Sequence, residues 1–296
     1  MSRILEVVPY EPLWLKLFEE EAQKIKEALG EHCSLIHHIG STSIVSLASK
    51  PIIDILVIVK TLKNNPQEIL ASLGYRLRGR IVTPLSDFYQ KGTPQPKFHL
   101  HLYEEGDETA QLHFSVQQYL RDHPSEIDQY SQLKVSLQTK YKAENNYNQY
   151  RIEKSPFIDT LIQKSGFEGL TLNYIKSTLN KNASEKDLAI FNRLQKEHIL
   201  PLTKEDKMIF EEIISGKQHL HFSLKKGLII VAVAHIELSD DNVAFLRSIA
   251  TDSPFQGEGY AQKLFDLLQK WAESQDHLWI HLPISSDTNA IYRSFK

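Results

Sequence analysis

The chain holds a single cysteine, Cys33, in 296 residues. That excludes an internal disulfide and suits a reducing compartment, and a lone Cys is read here as a small buried hydrophobe rather than a nucleophile. There is also no excess of basic charge. The 34 Lys and Arg against 37 Asp and Glu are interspersed and sum to −3, so no electrostatic footprint for nucleic acid is expected. No apolar run approaches the ~20 residues of a membrane span, and Met1-Ser2-Arg3-Ile4 carries no apolar signal core. A cytoplasmic protein with no membrane partner is therefore expected. Internal repeats and low-complexity tracts are absent from the sequence.

What remains is ordinary globular material, with 41% hydrophobic and 24% charged residues. At this length one core usually stops growing, so two domains are expected, 1–166 and 167–296, with Gly166 and Gly169 marking the break. Between about 165 and 215 the reading is thin. Tyr174 to Leu179 and Ala183 to Gln195 look helical, and Thr203 caps a segment from Lys204 to Ile214.

The first half opens with a helix whose signals agree with its period. Val8-Pro9-Tyr10-Glu11-Pro12 leads into Trp14, Leu17, Phe18, Ala22, Ile25 and Leu29, and Gly30 ends it. Lys50 to Val59 reads as a buried strand with one acid, Asp54. A carboxylate there is costly unless it is paired, hydrogen-bonded or metal-bound, which makes Asp54 a candidate site residue. His99 and His101 are two apart and share a strand face. With Asp54 they make a candidate set of two histidines and one carboxylate for a single divalent metal ion. The competing reading is one polar face of a half-buried strand. His37-His38 should have one ring packed and one exposed, and His219-Leu220-His221 repeats the alternation with no acid nearby in sequence.

In the second half, Asn242 to Ile249 is a strand, Asp252-Ser253-Pro254 a break, and Tyr260, Ala261, Leu264, Phe265, Leu267, Leu268, Trp271 and Ala272 an amphipathic helical stripe. Between them lies Gln256-Gly257-Glu258-Gly259-Tyr260-Ala261. A strand-to-helix turn of this kind aims unpaired N–H groups and a helix dipole at one spot, and glycines let a phosphate approach. No Gly-Lys-Ser/Thr follows, and a three-glycine dinucleotide fingerprint is not present. Leu220 to Leu224 and Leu228 to Leu238 read as antiparallel strands before it, and Leu278 to Leu282 as a strand after it. Ser285-Ser286-Asp287 caps a short helix from Asn289 to Phe295. Glu237, near the end of a strand, is a candidate general base acting through water; the plainer alternative is an exposed strand-end charge.

Gln256, Gly259 and Ala261 match motif A of the GNAT N-acetyltransferase superfamily, and the last 120 or so residues resemble that family. The resemblance implies acetyl-CoA as cofactor, with the amides of Ile249 and Thr251 on the pantetheine. It places residues Gln256, Gly257, Glu258, Gly259, Tyr260 and Ala261 on the pyrophosphate, and a small-molecule or peptide amine as acceptor. Tyr292 falls where the family carries the tyrosine that protonates the leaving thiolate. The family also has one more strand, which this sequence is expected to lack past Lys296.

His38-Ile39-Gly40-Ser41-Thr42, Lys50-Pro51-Ile52-Ile53-Asp54-Ile55, Phe98-His99-Leu100-His101-Leu102 and the run Tyr119 to Pro124 resemble the GrpB family over residues 1 to about 164. That resemblance implies the nucleotidyltransferase fold. The family's Ala-Val-Pro-Gly-Leu is here Ser43-Ile44-Val45-Ser46-Leu47. Nucleotide transfer needs two magnesium ions on paired carboxylates, and Leu56 stands where the second acid belongs. Phosphate or nucleotide binding at Gly40, Ser41, Thr42 and Lys50 is therefore favoured over transfer. Together the resemblances imply an α/β (α+β) chain of two mixed sheets with helices. Its expected activity is acetyl transfer, the rivals being a nucleotidyltransferase completed by another acid such as Asp87 and a non-catalytic ligand-binding protein.

Overall fold

The structure is a computed structural model and describes residues 5–63, 66–80, 83–142, 146–176, 218–239 and 241–281. It divides into two compact units, Met1–Gly169 and Leu170–Lys296.

In the first unit, helix α1 (Leu13–Leu29) ends where Gly30 takes φ 55°, a left-handed stop that favours glycine. Strands β1 (Cys33–Ile39) and β2 (Ile53–Val59) follow, then α2 (Pro66–Ser72), β3 (Arg76–Gly79), β4 (Asp87–Lys91) and β5 (Phe98–Glu104). The sheet order is β1-β2-β5-β4-β3, with β2 parallel to β5 and the other neighbours antiparallel. β2 is central and buried on both faces, as its near-continuous apolar run requires. Ile53, Ile55, Val57 and Val59 point to the side of Trp14, Ile25 and Leu29 of α1. Leu56 and Tyr103 point to the other side, against Ala110 and Phe114. Those two residues belong to α3 (Thr109–Asp122), which is followed by α4 (Pro124–Tyr141) and α5 (Tyr147–Lys164). Pro124 opens α4 at a position that needs no N–H, so the chain breaks helix at His123 and restarts at once. Ile44, Leu47, Leu120, Ile127, Tyr130 and Leu161 make a separate small core for this helical layer.

The second unit is the sheet β10-β9-β8-β7-β6 with one described helix. Its strands are β6 (Leu170–Lys176), β7 (Gln218–Lys226), β8 (Ile229–Leu238), β9 (Val243–Thr251) and β10 (Leu278–His281), and α6 (Tyr260–Glu273) joins the last two. β9 and β10 are parallel, so α6 must cross the sheet face, and the other pairs are antiparallel, β7–β8 and β8–β9 as hairpins. Leu264, Leu268, Trp271 and Ala272 of α6 are buried. Each large apolar side chain so placed contributes about 1.5–3 kcal/mol.

Both sheets are mixed and carry helices, as the sequence implies. One local expectation fails: Tyr174 is not helical, because Leu170, Leu172 and Tyr174 alternate along β6 and pair with β7. Leu172 and Tyr174 are buried, and a strand face wins over weak helical periodicity. The segments Ala183 to Gln195 and Lys204 to Ile214, the closing helix with Tyr292, and the strand expected to be lacking all fall outside the described residues.

Candidate functional sites

The polar site of the first unit lies on the sheet face under α3. The register sets Ile39 opposite Asp54, Asp54 opposite His99, and Gln90 opposite His99, so these side chains come from four different strands onto one face. His99 Nδ1 lies 3.0 Å from Asp54 Oδ1, and His99 Nε2 3.2 Å from Gln90 Nε2. A single assignment satisfies both contacts: His99 donates from Nδ1 to the carboxylate and accepts at Nε2. His101 Nε2 is 3.8 Å from the same oxygen. Burial raises the Asp54 carboxyl, but the contacts with His101 and His99 outweigh it and hold the group well below its usual range. Beyond them His113, on α3, shares a contact of 3.0 Å with the Tyr103 hydroxyl. Burial pushes His113 down to about 3.

The three residues expected as a metal set are thus neighbours, but they engage one another. Among the described residues no group of three or more His, Cys, Asp or Glu is arranged to hold a metal ion. Asp87 is placed elsewhere: it stands opposite Leu102, on the sheet face away from Asp54, and pairs with Arg80 at 3.0 Å.

The loop expected to hold phosphate makes several contacts of its own. Gly40 has φ 70°, and a Cβ there would sit 2.4 Å from Asp54 Oδ2. The glycine therefore makes room for the Asp54 carboxylate. Thr42 Oγ1 donates to the Ile52 carbonyl at 3.2 Å and lies 3.1 Å from His38 Nε2. Ser41 opens the short 3-10 turn Ser41–Ser43. His38 is the packed ring of its pair, stacked on Phe18 at 4.7 Å, and burial pushes it down to about 4. His37 is partly buried and lies 2.7 Å from Gln117 Oε1. Lys50 donates to the Tyr147 hydroxyl at 2.7 Å.

In the second unit Gln256, Gly257, Glu258 and Gly259 form an exposed turn between β9 and α6, with Tyr260 and Ala261 opening the helix. Gly257 has φ 85° and Gly259 φ 80°, both left-handed, and a Cβ at either would meet nothing within 4 Å. The backbone is bare to the outside, and Gly259 caps the positive end of α6. Ile249 and Thr251 pair with Ala234 and Ala232 of β8. On the other edge of β9, pairing with β10 runs from Val243 to Leu246 among the described residues, which leaves the Ile249 to Thr251 stretch clear of it.

Glu237 is not an exposed strand-end charge. It is 0% exposed, and Nε and Nη2 of Arg247 both donate to its Oε2 at 2.6 Å. The β8–β9 pairing slips here so that Arg247 has no residue opposite, and this bulge aims its guanidinium at Glu237. His219 stands directly opposite Glu237, so an acid does adjoin the second histidine pair. His219 Nδ1 lies 2.9 Å from His235 Nε2, and the rings of His221 and His235 stack at 4.7 Å. Burial, then the neighbouring His221 and His219, push His235 down to about 3. His235 and Arg247 were not singled out in the sequence, because only the register of β7, β8 and β9 gathers them.

Fold and sites together define a two-unit α/β protein, one unit with an Asp–His sheet face and the other with an anion-type strand-to-helix turn. The chain belongs to the GrpB family, whose model, GrpB protein, matches residues 4–164. The model of the Acetyltransferase (GNAT) family matches residues 188–292. Protein YqkA of Bacillus subtilis is 34% identical over 161 residues, which are 54% of this chain and 46% of YqkA, so the match spans less than half of that relative. Conserved protein GrpB from Enterococcus faecalis, a crystal structure, is 33% identical and covers 54% of this chain and 96% of that one, with a TM-score of 0.51. The ribosomal-protein-S18-alanine N-acetyltransferase from Escherichia coli matches 43% of this chain and 76% of its own, at 21% identity and a TM-score of 0.31.

Proposed function

We propose that this chain is an acetyl-CoA-dependent N-acetyltransferase acting on a small-molecule or peptide amine. The observation that carries the reading is the turn at Gly257 and Gly259, two left-handed glycines with open space around them at the start of α6. Backbone N–H groups there, with the helix dipole, would hold a pyrophosphate. The pantetheine would lie along the clear edge of β9 at Ile249 to Thr251, as an added strand does. The neutral amine would attack the thioester carbon, and the CoA thiolate would leave. Tyr292 is the proposed proton donor to that thiolate. Glu237 is the proposed acceptor of the amine proton, and its full burial makes a water relay necessary.

The rival reading, nucleotide transfer by the first unit, loses support from two placements. Leu56 is 0% exposed in the position of a second acid, and Asp87 lies on the opposite sheet face.

The test is direct. Gly259→Val, at φ 80°, forces a β-branched residue into a left-handed cap and should abolish CoA binding in calorimetry while circular dichroism stays unchanged. Unchanged affinity in the folded variant removes the turn from the mechanism. Tyr292→Phe should lower turnover with acetyl-CoA by about 10²-fold or more at constant affinity.

A further inference from the structure

The helical layer of the first unit gathers cations that its fold does not need. Lys134 of α4 is 3% exposed, and its Nζ has no hydrogen-bond partner among the described residues. It sits over the Tyr130 ring, 4.3 Å from the centroid. Tyr150 of α5 is 0% exposed, and its hydroxyl also has no hydrogen-bond partner among the described residues. Lys50 reaches the same place from the segment before β2, its Nζ 5.2 Å from the Tyr150 ring centre and 4.2 Å from that of Tyr147. Lys154 approaches the Tyr150 ring at 5.9 Å. Burial, then repulsion from Lys154 and Lys50, pushes Lys134 down to about 6. Asp54 is the acid whose charge reaches this group, and its carboxylate is already engaged by His99.

An unpartnered buried amine and an unpartnered buried hydroxyl are each costly, and leaving both in one place is doubly so. Such groups are satisfied by ordered water or by a ligand that supplies acceptors, and two orphans facing several cations favour an anionic ligand. We propose that Lys50, Lys134 and Lys154, with the Tyr150 hydroxyl, form a binding site for a phosphate-bearing anion. A bound anion draws a proton onto Lys134, and the three ammonium groups that then face it call for more than the one negative charge of a carboxylate; a phosphoryl group offers two charges and three oxygens to several donors at once. The tyrosine rings keep water out and strengthen the attraction. The site lies beside the Gly40-Ser41-Thr42 loop rather than on it. It goes beyond acetyl transfer and does not rest on that reading.

Inorganic pyrophosphate is the probe, titrated without metal into the full chain carrying Gly259→Val, so that the turn at α6 does not contribute. The expected result is saturable binding that rises with charge from phosphate to pyrophosphate. Lys134→Met should weaken it at least about tenfold. That variant should also unfold at a higher temperature without pyrophosphate, since it removes an unpartnered buried amine. Tyr150→Phe, which deletes a single hydroxyl, should weaken binding as well and serves if Lys134→Met does not fold. Lys16→Met, on the exposed side of α1, should leave affinity unchanged. No binding, or binding equal in the parent, Lys134→Met and Tyr150→Phe, overturns the proposal.

Discussion

Two neighbouring residues show how backbone conformation and side-chain packing set opposite demands. Ser46 has φ 69°, left-handed, at the position where the GrpB pattern has glycine. It is exposed, so no burial of the side chain offsets the strain. Ser46→Gly should stabilise the chain by about 0.5–1 kcal/mol in urea unfolding. Gly40 is the reverse case. Gly40→Ala adds both φ strain and a Cβ against Asp54 Oδ2, and should destabilise by about 2 kcal/mol or more. A Gly40→Ala protein as stable as the parent would show that the Asp54 carboxylate can move aside. The same contact explains why Gly40 reads as a phosphate loop in sequence, for a glycine that admits a ligand and one that admits a carboxylate look alike.

At the scale of elements, α1 is fixed to the sheet by more than its apolar stripe. Glu21 on its buried side is 2% exposed and accepts from Lys91 of β4 at 2.5 Å, with Lys24 at 3.5 Å outside. Lys91 also lies 5.3 Å from the centre of the Tyr75 ring. Removing one partner of such a pair leaves a charge in a nonpolar place, and the remaining exposure of Lys91 moderates the loss. Lys91→Met should therefore lower stability by about 2 kcal/mol. The double variant Lys91→Met with Glu21→Met should recover most of it. Equal stability of the single variant and parent would mean that Lys24 alone suffices for Glu21. The bulge at Arg247 plays the corresponding part in the other sheet, since it lets a residue outside the regular register reach a buried acid.

At the scale of the whole molecule, each unit has its own sheet and its own buried tryptophan, Trp14 in the first and Trp271 in the second. A ligand that binds one unit stabilises that unit by RT ln(1 + [L]/Kd), about 2.7 kcal/mol at a hundredfold excess over Kd. Acetyl-CoA should therefore delay the unfolding reported by Trp271 more than that reported by Trp14, read in single-tryptophan variants. Pyrophosphate should do the opposite in the Gly259→Val protein. Equal shifts at both tryptophans with acetyl-CoA would place its site outside the α6 turn or couple the two units tightly.

Much of this architecture is written locally. The stripe from Trp14 to Leu29, the buried run of β2, and the strand, glycine turn and helix around Gly259 each show in a window of a dozen residues, because period and punctuation follow from backbone geometry alone. The sequence by itself thus determined two units, their principal elements, and the turn that would hold a CoA pyrophosphate. It also brought Asp54, His99 and His101 into one expectation, since alternation assigns each to a strand face. Tertiary structure decided which faces meet. That Gly40 packs on Asp54, that Arg247 grips Glu237, that His235 joins His219 and His221, and that Lys134 and Tyr150 lie buried beside Lys50 all depend on contacts between segments distant in sequence. α4 carries Lys134 at a spacing indistinguishable from that of a solvated lysine, and only the packing of α4 and α5 around it removes the water.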